Sequence, residues 1–331
     1  MRMRVRASSR AGPSRVGAAV LAACVWALAA LPCFAVEAAE RIYVLSQSAA
    51  QLTLVDVETA AAAQTIALDK APAALAFAAD GKTAYVTHPD IGQLSVVDLE
   101  AGKVARTIKV PGSPFGIAAA ASGRLYVGDW NGTRVNVVEA DGSLLATAIE
   151  VGKAPAHLVL SPDEQTLYVA NRESDSVTVV RTTTLTPAAT IAVGHAPFAM
   201  ALSPDAARLY VGNVQAGSVT VIDTGSLAVA ETLKSGAMPY GAALTPDGAR
   251  VLVTNQQSSS VSVLEGGKTV ATIKVGSYPE GVAIGSVSGK AYVANWFSDD
   301  ISVLDLATLK ELRRIKCPAG PRAVAVAPGG A

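Results

Sequence analysis

One short motif recurs seven times along the chain and sets what it can fold into: RIYVLS around Tyr43, TAYVTH around Tyr85, RLYVGD around Tyr126, TLYVAN around Tyr168, RLYVGN around Tyr210, RVLVTN around Leu252 and KAYVAN around Tyr292. Successive copies are 42, 41, 42, 42, 42 and 40 residues apart. A near-constant period of this size marks a tandem array whose units bury their apolar faces against one another. Prolines recur in the same phase, at Pro72, Pro114, Pro155, Pro197, Pro239, Pro279 and Pro321. Two independent markers in register give the array seven units.

Each unit has room for four short strands. In the unit that begins at Gly194, the β-prone runs FAMAL, RLYVGN, SVTVID and VAETLK are separated by turn-forming residues. Ser-Pro-Asp at residues 161–163 and 203–205, and Pro-Asp-Gly at 246–248, supply the turn chemistry of a tight hairpin between the first and second runs. The third run alternates branched residues, as in Val177, Val179 and Val219, Val221, which suits a strand packed between neighbouring sheets. The first run is built from alanine and glycine, as in GIAAAAS, GAALT and AVAVA. Where sheets radiate from an axis the innermost strands have the least space, so small side chains place this run at the hub.

The ends of the array complement each other. Residues 41–69 supply the second, third and fourth strands of a unit without its first, and PRAVAVAP at 321–328 is a first strand with nothing after it. Pairing the two gives an all-β, seven-bladed β-propeller of four-stranded antiparallel blades, its ring closed by the C-terminal strand against the N-terminal strands. Closure removes the open sheet edges that invite aggregation.

Residues 1–39 read as a signal peptide: five arginines precede an apolar run from Val16 to Ala30, and small residues at Ala35 and Ala38 place cleavage near 35–39. The propeller then spans 40–331, and the expected location is periplasmic or secreted. Leu21-Ala22-Ala23-Cys24 resembles a lipoprotein box, but the apolar run continues past Cys24, so lipidation is the weaker reading. No other segment is long and apolar enough to span a bilayer. Without residues 1–39 the chain has 27 − 5 = 22 basic and 27 − 1 = 26 acidic residues, which argues against nucleic acid as the partner. Cys317 is then the single remaining cysteine, so no internal disulfide forms, and a monomer is expected.

Tyr-Val-Thr-Asn-like signatures at this spacing, with Ser-Pro-Asp-Gly-like turns, resemble the YVTN family of β-propeller proteins over essentially the whole chain after residue 39. The resemblance implies architecture and an envelope or surface-layer setting, and implies no chemistry. The chain departs from the pattern where Ser46, His88 and Asp129 replace the motif's Asn, and where GSVSGK follows Ile284.

In a propeller the loops that enter each first strand and those that follow each YVxN motif share one face. The residues after the seven prolines, Ala73, Phe115, Ala156, Phe198, Tyr240, Glu280 and Arg322, are therefore expected at the channel mouth. Equivalent backbones carrying such unequal side chains point to selection for more than folding. The loops after the motif add His88, Trp130, Arg172, Gln256, Trp296 and Phe297, in a chain with only 5% aromatic residues. The expected ligand- or partner-binding set is Trp130, Trp296, Arg172, Phe115, Phe198, Tyr240, Glu280, Arg322 and His157. The bland alternatives are that the aromatics plug the channel and that Glu280 and Arg322 pair across a blade interface.

His88, His157 and His195 have no metal-binding spacing, CxxCH is absent, and neither a Gly-x-Ser-x-Gly elbow nor a GxxxxGK[ST] loop occurs. No catalytic residue, metal or cofactor is assigned. Asn171, Asn213, Asn255 and Asn295 occupy one phase and read as turn-capping residues. The favoured function is a binding or scaffold module whose mouth holds an envelope protein or a small ligand. The alternative is a lactonase-like hydrolase or lyase using Glu280, His157, Arg172 and Arg322 in the funnel.

Overall fold

The computed structural model describes residues 40–285 and 288–327. They form seven four-stranded antiparallel sheets. Six are continuous in sequence, their innermost strands being Leu75–Phe77, Pro114–Ala119, Pro155–Leu160, Pro197–Leu202, Pro239–Leu244 and Pro279–Ile284, which head blades 2 to 7 in turn. Blade 1 is shared: Pro321–Val326 pairs with Arg41–Ser46, followed by Gln51–Asp56 and Ala61–Ala67. The closing register sets Ile42 opposite Val326, Tyr43 opposite Ala325 and Val44 opposite Val324. The chain is thus a closed seven-bladed β-propeller.

Burial follows strand position. Second and third strands are almost wholly buried, whereas the outer strands bury a single position each, such as Ile66, Ile191, Ile273 and Ile315. The core lies between blades: Val177 and Val179 of blade 4 pack with Met200, Leu209, Val211 and Ile222 of blade 5. Alternating branched side chains on two-sided sheets produce this layering. Blade 3 departs from the repeat, because its outer strand shrinks to Ile149–Glu150 after the irregular segment at 139–148.

Two of the phased asparagines, Asn171 and Asn255, tie their blades to the incoming loops. Asn255 Nδ2 donates to Ser260 Oγ (3.3 Å) and Ser262 Oγ (2.9 Å), while its Oδ1 accepts from Gly236 N–H (2.9 Å) and Ser235 Oγ–H (2.8 Å). Asn171 repeats the pattern with Ser176, Thr178 and Gly152 N–H. The blades that lack Asn keep the job with other groups. Asp129 accepts from Ser113 N–H, Ser46 donates to Pro318 O, and His88 sits between Lys70 O and Ser95 Oγ.

The hairpin turns behave as their sequences require. Asp163 accepts from Ser161 Oγ–H (2.5 Å) and Gln165 N–H (3.0 Å), and Asp205 and Asp247 do the same in their blades. These hydrogen bonds hold all three carboxyls below the usual carboxylate range. Cys317 is half-buried beside the blade 7–blade 1 core, where burial pushes its thiol up to about 12 and keeps it in the weakly reactive protonated form. No helix among the described residues is long and apolar enough to cross a membrane.

Candidate functional site

All seven residues that follow the phased prolines line one central cavity: Ala73, Phe115, Ala156, Phe198, Tyr240, Glu280 and Arg322. The backbone ahead of them explains the convergence. Ala71, Ala154, Ala196, Met238, Tyr278 and Gly320, each immediately before its proline, adopt a left-handed conformation with φ between 52° and 67°. This bend turns the chain from the loop into the inner strand and aims the second residue of the turn at the axis. The five alanine, methionine and tyrosine side chains at these positions carry the strain that glycine would avoid.

The cavity has a volume of about 210 Å³. Above it lies a wider chamber of about 650 Å³, lined by Gln47, Lys70, Asp90, Ser113, Trp130 and Asn131 among others. Phe115, Tyr240 and Arg322 border both spaces and form the septum between them. Four aromatic rings run across this level without a break. Trp130 lies 4.5 Å from Phe115, Phe115 meets Phe198 edge-on at 5.8 Å, and Phe198 stacks on Tyr240 at 4.0 Å.

Arg322 is the hub of the septum. Its guanidinium carbon lies 5.1 Å from the Phe115 ring and 5.9 Å from both Tyr240 and Trp296. Nε donates to Ala73 O at 3.0 Å and Nη2 to Tyr240 Oη at 2.8 Å, whereas Nη1 has only longer approaches, 3.5 Å to Gln47 Oε1 and 3.6 Å to Glu280 Oε2. One side chain on the closing strand thereby touches blades 2, 3, 6 and 7. A second cation–π contact sets the Arg172 guanidinium 5.5 Å from Trp130.

Glu280 faces this cation from blade 7 and is only 4% exposed. Gln256, 2% exposed, donates to its Oε1 at 3.0 Å, and Oε2 has no hydrogen-bond partner among the described residues. Burial raises the carboxyl to about 7, against the opposing pull of Arg322. Burial likewise pushes the Tyr240 phenol up to about 12. His157 lines the lower cavity, with Nδ1 accepting Met200 N–H at 3.1 Å. That bond leaves the ring proton on Nε2, and burial drives its pKa down to about 4, so the imidazole is neutral.

The nine residues expected to bind therefore gather around one channel: six line the lower cavity, Trp130 lines the chamber above, and Trp296 and Arg172 reach the septum through Arg322 and Trp130. Two other expectations are corrected: His88 and Gln256, expected in loops at the mouth, are both buried. His88 is wholly buried inside blade 2, because its ring replaces the Asn side chain and must span from Lys70 O to Ser95. His195 stands apart at the surface, paired with Asp175 at 2.8 Å. Gln256 is a support for Glu280 and not an exposed rim residue, and Phe297, 69% exposed, packs beside Tyr278 away from the septum. Gln47 was not singled out by sequence; its one signal is that it follows the first copy of the motif.

The opposite face holds a groove of about 550 Å³ between blades 5 and 6, but its polar groups are already engaged. Asp205 and Asp247 are consumed by their turns, and Arg208 pairs with Glu231 at 3.5 Å.

By sequence, the family model described as "Lactonase, 7-bladed beta-propeller" matches residues 41–227, and the "YNCE-like beta-propeller" model matches 167–325. No curated protein matches the chain. Among solved structures, Kuenenia stuttgartiensis hydrazine synthase is similar with a TM-score of 0.71 and 21% identity, over 78% of this chain and 90% of that one. A functionally unknown protein from Desulfotomaculum acetoxidans aligns with a TM-score of 0.75 and 14% identity, over 86% and 98%. Dihydro-heme d1 dehydrogenase NirN in complex with DHE aligns with a TM-score of 0.64 and 18% identity, over 87% of this chain and 66% of NirN. At these identities the likeness is one of fold. The first family model covers more than half of the chain, and the protein belongs to the seven-bladed β-propeller lactonase family.

Proposed function

We propose that the protein is an exported binding module, released by cleavage near residues 35–39 into the periplasm or medium, which holds a small ligand at the channel mouth. The observation that carries this reading is the Arg322 septum: a guanidinium lies among the rings of Phe115, Tyr240 and Trp296, two of which belong to a run of four contiguous aromatic rings, and its Nη1 has no partner closer than 3.5 Å among the described residues. A continuous aromatic surface contributes stacking area, and a few fixed polar groups orient what lands on it. The chamber volume falls in the range of small-molecule sites, on the order of 300–1,000 Å³. An envelope protein docking over the same mouth is the coarser form of the same proposal.

Glu280 favours a second reading, lactone hydrolysis, which the family name also suggests. A carboxyl with a pKa of about 7 and an unpartnered oxygen beside a guanidinium has the parts of a general base next to a carbonyl-polarising group. The test is a thermal-shift screen of small metabolites, lactones included, on the wild type and Phe198→Ala, with hydrolysis followed for every lactone. A ligand that stabilises the wild type and not the variant, without turnover, supports the binding module. Turnover lost in Glu280→Gln replaces it with the hydrolase.

A further inference from the structure

We propose that the ligand of the mouth is an aromatic monocarboxylate, its carboxylate on Arg322 and Tyr240 and its ring against Phe115 and Trp130. This deepens the binding reading above and rests on it. Counting donors gives the first half of the argument. Of the five N–H groups of Arg322, Nε–H goes to Ala73 O and one Nη2–H to Tyr240 Oη, while Nη1 has no partner closer than 3.5 Å. Tyr240 accepts from Arg322 through its oxygen, which leaves its own O–H proton without an acceptor among the described residues. Both groups border the upper chamber, so an Nη1–H and a phenol O–H present two donors to one ligand. A carboxylate, with two acceptor oxygens, satisfies both.

Charge gives the second half. Glu280 pairs with Arg322 at 3.6 Å, beyond hydrogen-bond distance, so it offsets the charge without taking up the Nη1 donors, in a site where the Arg322 side chain is only 13% exposed. One ligand carboxylate takes up these donors, while Glu280 disfavours a second negative charge at the same guanidinium. The ligand's body is set by the walls. Trp130 and Phe115 border the chamber and lie 4.5 Å apart, with Arg172 over Trp130 and Arg322 over Phe115, so the rings offer a ligand their edges. A flat aromatic ring meets such edges in the edge-to-face arrangement that aromatic pairs favour, which a saturated ring of equal size cannot do.

Isothermal titration of the full chain at neutral pH with benzoate, benzamide, cyclohexanecarboxylate and inorganic phosphate tests this. Benzoate should bind at least tenfold more tightly than benzamide and several-fold more tightly than cyclohexanecarboxylate, and phosphate should not displace it. Arg322→Gln should abolish benzoate binding. Because Arg322 lies on the closing strand, Tyr240→Phe provides the variant that keeps the stacked ring, and it should lose about tenfold. Benzamide binding as tightly as benzoate, or phosphate displacing it, would overturn the ligand class while leaving the mouth as the binding site. Benzoate binding unchanged in both variants would overturn the assignment of its carboxylate to this septum. If benzoate fails to bind, the class is wrong, and the metabolite screen on Phe198→Ala decides the binding reading separately.

Discussion

Arg322 Nη2 donates to Tyr240 Oη across the channel at 2.8 Å, so the strand that closes the ring also holds the septum of its mouth. Closure and site are parts of one construction: Pro321–Val326 pairs along Arg41–Ser46, and its second residue reaches Ala73 of blade 2 and Tyr240 of blade 6. Most consequences of the structure follow from that economy.

Deleting residues 321–331 should therefore do more than trim a terminus. It removes the inner strand of blade 1, takes Val324 and Ala323 away from Val44 and Leu45 and exposes the inner edge of Arg41–Ser46. Circular dichroism on heating is expected to show a broadened transition at a midpoint lowered by 10 °C or more, on the order of several kcal/mol lost. A variant that melts as sharply and as high as the parent would argue against closure.

Glu280 gives a pH dependence whose sign is fixed. Its folded pKa, about 7, exceeds the ordinary 4.5, so the folded state binds the extra proton between those values and stability falls as pH rises from about 4.5 to 7. His157 works in the opposite sense over a lower window, because its folded value of about 4 lies below 6.5 and stability falls as pH drops from about 6.5 to 4. Glu280→Gln should flatten the loss between pH 4.5 and 7 and raise stability at pH 8 by on the order of 2–3 kcal/mol. Urea unfolding at pH 5.5, 6.5, 7.5 and 8.5 measures the slope, and an identical slope in the two proteins would contradict the burial of this carboxyl.

The phased asparagines should differ in worth although they look alike in sequence. Asn255 uses both ends of its amide, whereas among the described residues Asn213 Oδ1 has no partner and only its Nδ2 is engaged, with Ser218 and Thr220. Asn255→Ala is expected to cost about 2–3 kcal/mol, because it strands the Gly236 N–H as well as three hydroxyls, and Asn213→Ala roughly half of that. Denaturant titration of the two variants checks the order.

Much of this was legible in the sequence because a propeller writes its geometry as a period. The phase of Pro72 through Pro321 placed seven side chains on the axis, and the unmatched ends at 41–69 and 321–328 foretold the seam. What the period could not show were contacts between units that are far apart in the chain. Arg322 reaching Tyr240 spans 82 residues, and no spacing rule predicts it. His88 misled for a local reason: at a motif position normally filled by a small amide, a larger ring reads as a surface substitution, but it is turned inward to make the same two bonds. The short outer strand of blade 3 was hidden because Leu144 and Leu145, in an otherwise polar stretch, look like strand residues, whereas Leu145 packs on the blade core from an irregular loop and Leu144 stands exposed opposite Val138.

The most direct test of the mouth as the functional surface uses the chain's own fluorophores. Of its three tryptophans, Trp130 and Trp296 flank Arg322 and its aromatic neighbours, and Trp26 lies outside the described residues. In a Trp26→Phe background, any small molecule that raises the melting temperature should also change tryptophan emission saturably and with the same dissociation constant, and the change should shrink in Trp130→Phe. A ligand that stabilises the protein while leaving both tryptophans' emission untouched would place its site elsewhere on the propeller.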